Sequence, residues 1–163
     1  MEVIPRESLR RIVQAGLDAP SGKNAQSTEF VIIDDPEVIN EIRRLHGHNT
    51  AMQQATAYIA CIIDRVPEAI YEGHSFQVED CAAAVENMLL AITALDYETV
   101  WVDGWLRVNG HAERIGDLIH LASDKIIRVL LPIGKASESY PRPQKKVLTE
   151  RVWFNRYHRA AQD

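Results

Sequence analysis

The stretch "LDAPSGKNAQSTEFVIID", residues 17–34, invites the first chemical reading, because Gly22-Lys23 looks like the end of a phosphate-binding loop. Such a loop needs Gly, four residues and Gly-Lys-Ser/Thr, entered from a strand and left into a helix, so that backbone N–H groups cradle phosphates and the hydroxyl meets magnesium. Here the nearest earlier glycine is Gly16, five residues before Gly22, and Asn24 stands where the hydroxyl should be. A helical pattern precedes the loop and a strand pattern follows it, the reverse of the required order. Spacing, chemistry and topology together exclude a nucleoside triphosphate site. Pro20-Ser21-Gly22 is then either a plain helix stop or the cradle of some other ligand. His46-x-His48 invites a metal reading, yet no carboxylate or cysteine stands at useful spacing beside it. Cys61 and Cys81 lie in apolar surroundings without metal spacing and read as buried free thiols of a reducing compartment. Asp103-Gly104 marks a tight turn between Trp101 and Trp105, which could border an aromatic ligand, although Trp101 reads more readily as core filling. No nucleophile–base–acid triad stands out.

The elements that must position these residues follow from the apolar periodicity. A 163-residue chain with 46% hydrophobic and 25% charged residues reads as one globular domain. A chain of this length buries roughly 70% of its unfolded surface. Its formal charge of -5 argues against a nucleic-acid surface. The N-terminal residues lack an apolar h-region, and the most apolar stretch, 81–95, is broken by Glu86 and Asn87 and too short to span a bilayer. The expected location is cytoplasmic, away from membranes and nucleic acids.

Leu9, Ile12, Val13, Gly16 and Leu17 recur at helical spacing over 5–19, with Pro5 suited to a first turn. Phe30 to Ile33 form an apolar run that suits a strand covered on both faces. Asp35-Pro36-Glu37 caps a helix carrying Ile39, Ile42 and Leu45. A short helical piece at 51–55 leads into a second buried strand, 57–63. A polar loop over 65–74 precedes a long helix, 75–95, with Val78, Cys81, Val85, Met88, Leu89 and Ile92 on one face. Its second face carries Ala82, Ala83, Ala84 and Ala91, which would let another helix approach closely. Further strands are expected at 99–102 and 126–133, with a helix at 112–121 between them. Strands separated by helices make the fold α/β or α+β, with a central sheet covered on both sides. From Ser137 a Pro- and Lys-rich arm begins, dividing the single domain into a core, 1–136, and an arm, 137–163. Val147, Leu148, Val152, Trp153, Phe154 and Tyr157 are too apolar for a free tail, so the arm folds back on its own subunit or packs on a second one; the second is preferred.

Taken in order, "APSGKNAQ" after a helix, "DCAAAVENMLLAITAL", "VWVDGW", "LLPIGKA" and "RPQKKVLTERVWFNRY" resemble the flavin-dependent nitroreductase family over about residues 5–157. The resemblance implies an α+β fold, an α/β sandwich with a central mixed sheet flanked by helices. It also implies an intertwined homodimer with exchanged C-terminal arms and FMN at the subunit interface. Pro20, Ser21, Gly22 and Asn24 match the flavin-contacting loop. Lys23 is a candidate for the negative charge of reduced flavin near N1 and O2, or else a solvated loop lysine. Val102, Asp103 and Gly104 match the turn whose last two backbone N–H groups the family sets near flavin N5 and O4. Lys145 falls at a basic phosphate position with Arg142 close by, and Asn49 near a contact to the pyrimidine edge.

The chain also departs from the family pattern. The family's Arg-Arg-Ser-x-Arg segment has no counterpart in "MEVI", so either the chain continues upstream of Met1 or the phosphate falls to Arg142, Lys145 and Lys146. Gln26 is followed by Ser27 and Thr28 in place of Pro-Trp. "LDYET" replaces a glycine-containing helix end, which gives Asp96 the left-handed cap position. The function implied is an FMN-dependent oxidoreductase with NADH or NADPH as donor, reducing a small acceptor such as a nitroaromatic or a quinone by ping-pong transfer. The competing readings are another flavin reaction on the same fold and an FMN-binding or degenerate dimeric module without turnover.

Overall fold

The structure is a computed structural model of the chain, described here for residues 2–46, 49–136 and 143–157. The elements are α1 (Arg6–Leu17), β1 (Glu29–Ile33), α2 (Pro36–Leu45), α3 (Thr50–Gln54), β2 (Ala57–Asp64), α4 (Gln77–Ala94), β3 (Glu98–Thr99), α5 (His111–Leu118) and β4 (Lys125–Gly134). Short 3-10 turns occupy Gly22–Asn24 and Leu148–Glu150. The strands pair in the order β1-β2-β4-β3.

Every pairing is antiparallel among the described residues, where the expected sheet was mixed. The mixed sheet was what the family resemblance implied, and the apolar runs indicated only strands covered on both faces, which does not fix their direction. Here helices cover both faces of an antiparallel sheet, which leaves the same imprint. On one face α1 and α4 bring Leu9, Ile12, Cys81, Val85, Met88 and Ile92 against Ile59, Cys61, Val129 and Leu131. On the other, α2, α3 and α5 bring Ile39, Ile42, Met52 and Ile115 against Tyr58, Ala60 and Leu130.

Local signals act where the residue types direct. Asp35 accepts the Glu37 N–H at 2.8 Å and Pro36 opens α2, so the cap and the first-turn proline both do their expected work. At the end of α4, Asp96 adopts φ 59. The Tyr97 N–H then reaches the Ile92 carbonyl and the Asp96 N–H reaches the Thr93 carbonyl, the paired bonds of a Schellman cap. An aspartate therefore fills the place usually taken by glycine.

The helix α1 packs on α4 at Gly16, against Met88 and Ala84. A Cβ there would lie 3.0 Å from Met88 Cγ and 3.4 Å from the Ala84 carbonyl oxygen. The first turn of α4 departs from expectation. Val78 is 43% exposed, whereas Gln77 and Asp80 are buried. Polar contacts explain the rotation: the Gln77 amide donates to the Asp64 carbonyl, and Asp80 accepts from the loop after α1.

Every described arm residue, 143–157, is exposed, with Leu148 at 67% and Phe154 at 85%. These residues do not fold back into their own core.

Candidate functional site

The loop after α1 is built around three residues with left-handed backbone, Lys23 (φ 52), Asn24 (φ 56) and Gln26 (φ 50). Each such non-glycine residue costs roughly 1–2 kcal/mol, least for asparagine, so the surroundings must hold the loop in place. Asp80, in the first turn of α4, does so. Its Oδ1 accepts the Gly22 N–H at 2.8 Å and its Oδ2 accepts the Ser27 hydroxyl at 3.0 Å. The N-terminal end of α4 favours that buried carboxylate electrostatically. Ser21 Oγ accepts the Gln26 N–H at 3.0 Å and closes the loop on itself.

Gly22 lies flat on Phe76, so that a Cβ there would come within 2.6 Å of the ring. Pro20, Lys23 and Asn24 are exposed, and the Lys23 ammonium rests 4.7 Å above the Tyr71 ring centroid. This pairing joins the 65–74 loop to the loop after α1 through a cation–π contact. A cavity of about 210 Å³ opens between these segments, lined by Gln26, Ser27, Phe76, Gln77 and Lys125 among others. It is smaller than the roughly 300–1,000 Å³ of a pocket for a drug-sized ligand.

The second group sits on the other side of β4. Val102 exchanges both backbone hydrogen bonds with Leu130, at 3.1 and 2.9 Å. The chain then turns, with the Asp103 and Gly104 carbonyls accepting from Leu106 and Arg107. The Asp103 and Gly104 N–H groups donate to no acceptor among the described residues. A Cβ on Gly104 would meet nothing within 4 Å among the described residues, and Gly104 has no positive φ, so neither packing there nor backbone conformation calls for glycine.

The Asp103 carboxylate is clamped. Arg107 donates from Nε at 2.6 Å and from Nη2 at 2.7 Å, and Arg128 donates from Nη1 at 2.5 Å. The Arg107 hydrogen bonds, joined by the Arg128 charge, hold this carboxyl below the usual range against the opposing effect of burial. Trp105 is enclosed between the rings of His46 (4.3 Å) and His111 (4.0 Å, stacked), and His111 Nδ1 lies 2.8 Å from the Trp105 carbonyl oxygen. Trp101 is 41% exposed and does not fill core; it lies past the end of β3, which stops at Thr99.

The remaining expected residues stand apart. Asn49 caps α3 by accepting the Met52 N–H at 3.1 Å, which leaves its side-chain amide N–H groups without a partner among the described residues. Lys145 and Lys146 are exposed in the arm and make no ion pair among the described residues. Arg142 and His48 lie outside the described residues. No hydrogen bond joins the loop to the turn among the described residues, yet both converge on α4, Asp80 holding the loop beside Cys81. A hydrogen bond with Cys61 holds the Cys81 thiol below its ordinary range, and Arg128 and Asp103 also act on it. The hydrogen bond with Cys81 and then burial push Cys61 up, which leaves it an unreactive core thiol.

The periodicity did not single out Asp80, Phe76, Tyr71, Arg107 or Arg128. One of these carried a signal: Arg128 is a lone arginine inside the apolar run of β4.

A family model described as "Nitroreductase family" matches residues 1–135. A protein of Archaeoglobus fulgidus with the provisional name NADH dehydrogenase/NAD(P)H nitroreductase is 26% identical over 158 residues, covering 96% of this chain and 86% of the relative. Among solved structures, an FMN-dependent nitroreductase of Clostridium difficile superposes with a TM-score of 0.78 at 21% identity, covering 96% of this chain and 91% of the other. The NADPH:FMN oxidoreductase of Vibrio harveyi, complexed with NAD+, gives a TM-score of 0.78 at 21% identity, covering 97% of this chain and 71% of that one. With the matched span running from α1 through β4, across both the α1 loop and the Asp103-Gly104 turn, the chain belongs to the nitroreductase family.

Proposed function

We propose that the protein is an FMN-dependent NAD(P)H oxidoreductase that reduces small electron acceptors such as nitroaromatics or quinones. The observation that carries this reading is the Asp103–Gly104 turn. Among the described residues two adjacent N–H donors lack an intramolecular acceptor, beside a glycine whose missing Cβ leaves room for a close-approaching ligand. An isoalloxazine edge offers acceptors at N5 and O4 for such a pair. FMN, when bound, supplies the electron transfer between the nicotinamide donor and the acceptor.

This chain's residues do the remaining work. The Asp103 and Gly104 amides orient the ring edge. The loop from Pro20 to Asn24, fixed by Asp80, lays backbone along the cofactor, and Lys23 offers a cation near its electron-rich edge. Asn49 offers its amide N–H groups, unpaired among the described residues, to the pyrimidine edge, and Lys145 with Arg142 supplies charge for the phosphate. The exposed apolar arm supports a homodimer in which residues 137–163 pack on the partner and complete a site that one chain leaves open.

The test is a visible spectrum of the purified protein after FMN is added and excess removed by gel filtration, followed by NADH and NADPH oxidation with a quinone or nitroaromatic acceptor. A retained flavin at about one per subunit, with acceptor-dependent oxidation, is expected. Retained flavin with no turnover on any acceptor refutes the oxidoreductase reading in favour of a binding module. A colourless protein refutes FMN.

A further inference from the structure

We infer that Arg128 is a positioning residue, which fixes the aim of the Asp103 and Gly104 N–H pair and neutralises the carboxylate beside it. The inference rests on the flavin reading above. It starts from a defect in the sheet. In the β2–β4 ladder Cys61 faces Val129 and Ile62 faces Ile127, so Arg128 has no partner on β2. Arg128 is therefore the extra residue of a β-bulge. A bulge re-aims one side chain out of the regular alternation, and bulges concentrate beside active sites.

The re-aimed guanidinium reaches Asp103 Oδ1 at 2.5 Å, with both side chains about four-fifths buried (20% and 22% exposed). Two residues further along the same strand, Leu130 grips Val102 by both of its backbone hydrogen bonds. Strand β4 thus holds the turn at two consecutive residues, through the backbone at Val102 and through the side chain at Asp103. The next N–H, that of Gly104, inherits its direction from this double attachment. Arg107 also binds Asp103, but it is 57% exposed and lies four residues on in the same turn, so it moves with the turn and does not tie it to the sheet.

The charge matters as well as the geometry. A bare carboxylate next to donors meant for an electron-rich ring edge would oppose reduction of that ring. Two guanidinium groups on one carboxylate leave the cluster net positive, which favours the reduced, more negative cofactor.

Arg128→Met, Arg128→Lys and Arg107→Met are compared with the wild type by two independent readouts. In the cofactor-free protein, backbone 15N relaxation at Gly104 is expected to fall from the rigid range (order parameter about 0.85) to below about 0.6 in Arg128→Met, and to stay rigid in Arg107→Met. In the FMN-loaded protein, Arg128→Met is expected to make the flavin midpoint potential more negative. It should also lower kcat by about ten-fold, the worth of one charge-assisted hydrogen bond, with KM for NAD(P)H little changed. Arg128→Lys keeps the charge, and with it the potential, but replaces the planar Nη1 donor that meets Asp103 Oδ1 with a shorter, rotatable ammonium. A rigid Gly104 together with an unchanged potential in Arg128→Met overturns the inference. If Arg128→Met does not fold, Arg128→Lys decides by the Gly104 readout, where a rigid amide overturns it. A wild type that binds no FMN refutes the flavin reading alone, and the Gly104 measurement still judges Arg128.

Discussion

Gly22→Ala is the sharpest perturbation of the loop, because it adds a single methyl where the structure has no room for one. The backbone there has no positive φ, so the substitution carries no conformational penalty and its cost is purely steric. The new Cβ would lie 2.6 Å from Phe76 Cδ2 and 3.0 Å from Phe76 Cβ and Cγ. Carbon atoms in favourable contact sit about 3.5–4.0 Å apart, so a displacement of about 1 Å is required. Turning the ring relieves Cδ2 but not Cβ, which is fixed to the residue that opens α4. Either the loop lifts or the α4 terminus shifts, at the roughly 1–3 kcal/mol typical of one extra methyl in a packed site.

Lifting the loop also strains the bond from the Gly22 N–H to Asp80, now 2.8 Å. If the cost falls on the bound geometry, the Kd for FMN rises about 5- to 150-fold at 1.4 kcal/mol per decade. The assay is flavin fluorescence titration alongside thermal unfolding, run on Gly22→Ala, Phe76→Ala and the double variant. Removing the ring relieves the Cδ2 and Cγ contacts but leaves the Cβ contact at 3.0 Å, so Gly22→Ala is expected to cost less, though still something, in the Phe76→Ala background. A Gly22→Ala protein with wild-type Kd and Tm, or a double variant that shows no relief, refutes the reasoning.

Three further outcomes are expected. Asp80→Ala leaves the Gly22 N–H and the Ser27 hydroxyl without their shared acceptor, and is expected to destabilise by about 2–3 kcal/mol, read as a Tm drop with weakened FMN retention. Asp103→Asn tests linkage: the folded-state pKa of Asp103 is depressed, so its stabilisation is present above the unfolded value of about 3.9 and lost as pH falls through the lower folded value. The Tm gap between wild type and Asp103→Asn should therefore be full at pH 6 and close toward pH 3; a gap constant over that range contradicts the pairing. Deleting residues 137–163 should convert a dimer to a monomer by light scattering and abolish FMN retention, whereas an unchanged dimer would show that the arm is not the dimer contact.

The sequence by itself determined whatever depends on neighbours in the chain. Most helices and strands followed from apolar spacing, the start of α2 from Asp35-Pro36, and the left-handed end of α4 from an aspartate where glycine is usual; the strand expected at 99–102 shrinks to Glu98–Thr99 and a single bridge at Val102. The rejection of a nucleotide loop needed only the order helix, Gly22-Lys23, strand. The direction of strand pairing was not legible, because coverage by helices on both faces leaves the same apolar runs in parallel and antiparallel sheets. Nor did periodicity predict that Val78 would turn outward and Asp80 inward, since it reports that a face is buried and not what buries it.

The site's anchors were decided only in three dimensions. Gly22 and Asp80 are 58 residues apart, and Asp103 and Arg128 are 25 apart. Nothing local distinguishes those acids from the others in the chain, and the lone arginine in the apolar run of β4 does not reveal its partner. Their pairing depends on α4 starting under the α1 loop and on one extra residue in β4 swinging a guanidinium toward the turn. Such contacts arise from the relative placement of elements that pack through non-specific apolar faces. Tertiary structure therefore turned a loop and a turn, each recognisable by type, into a loop pinned by Asp80 and a turn tied to β4 at Val102 and Asp103.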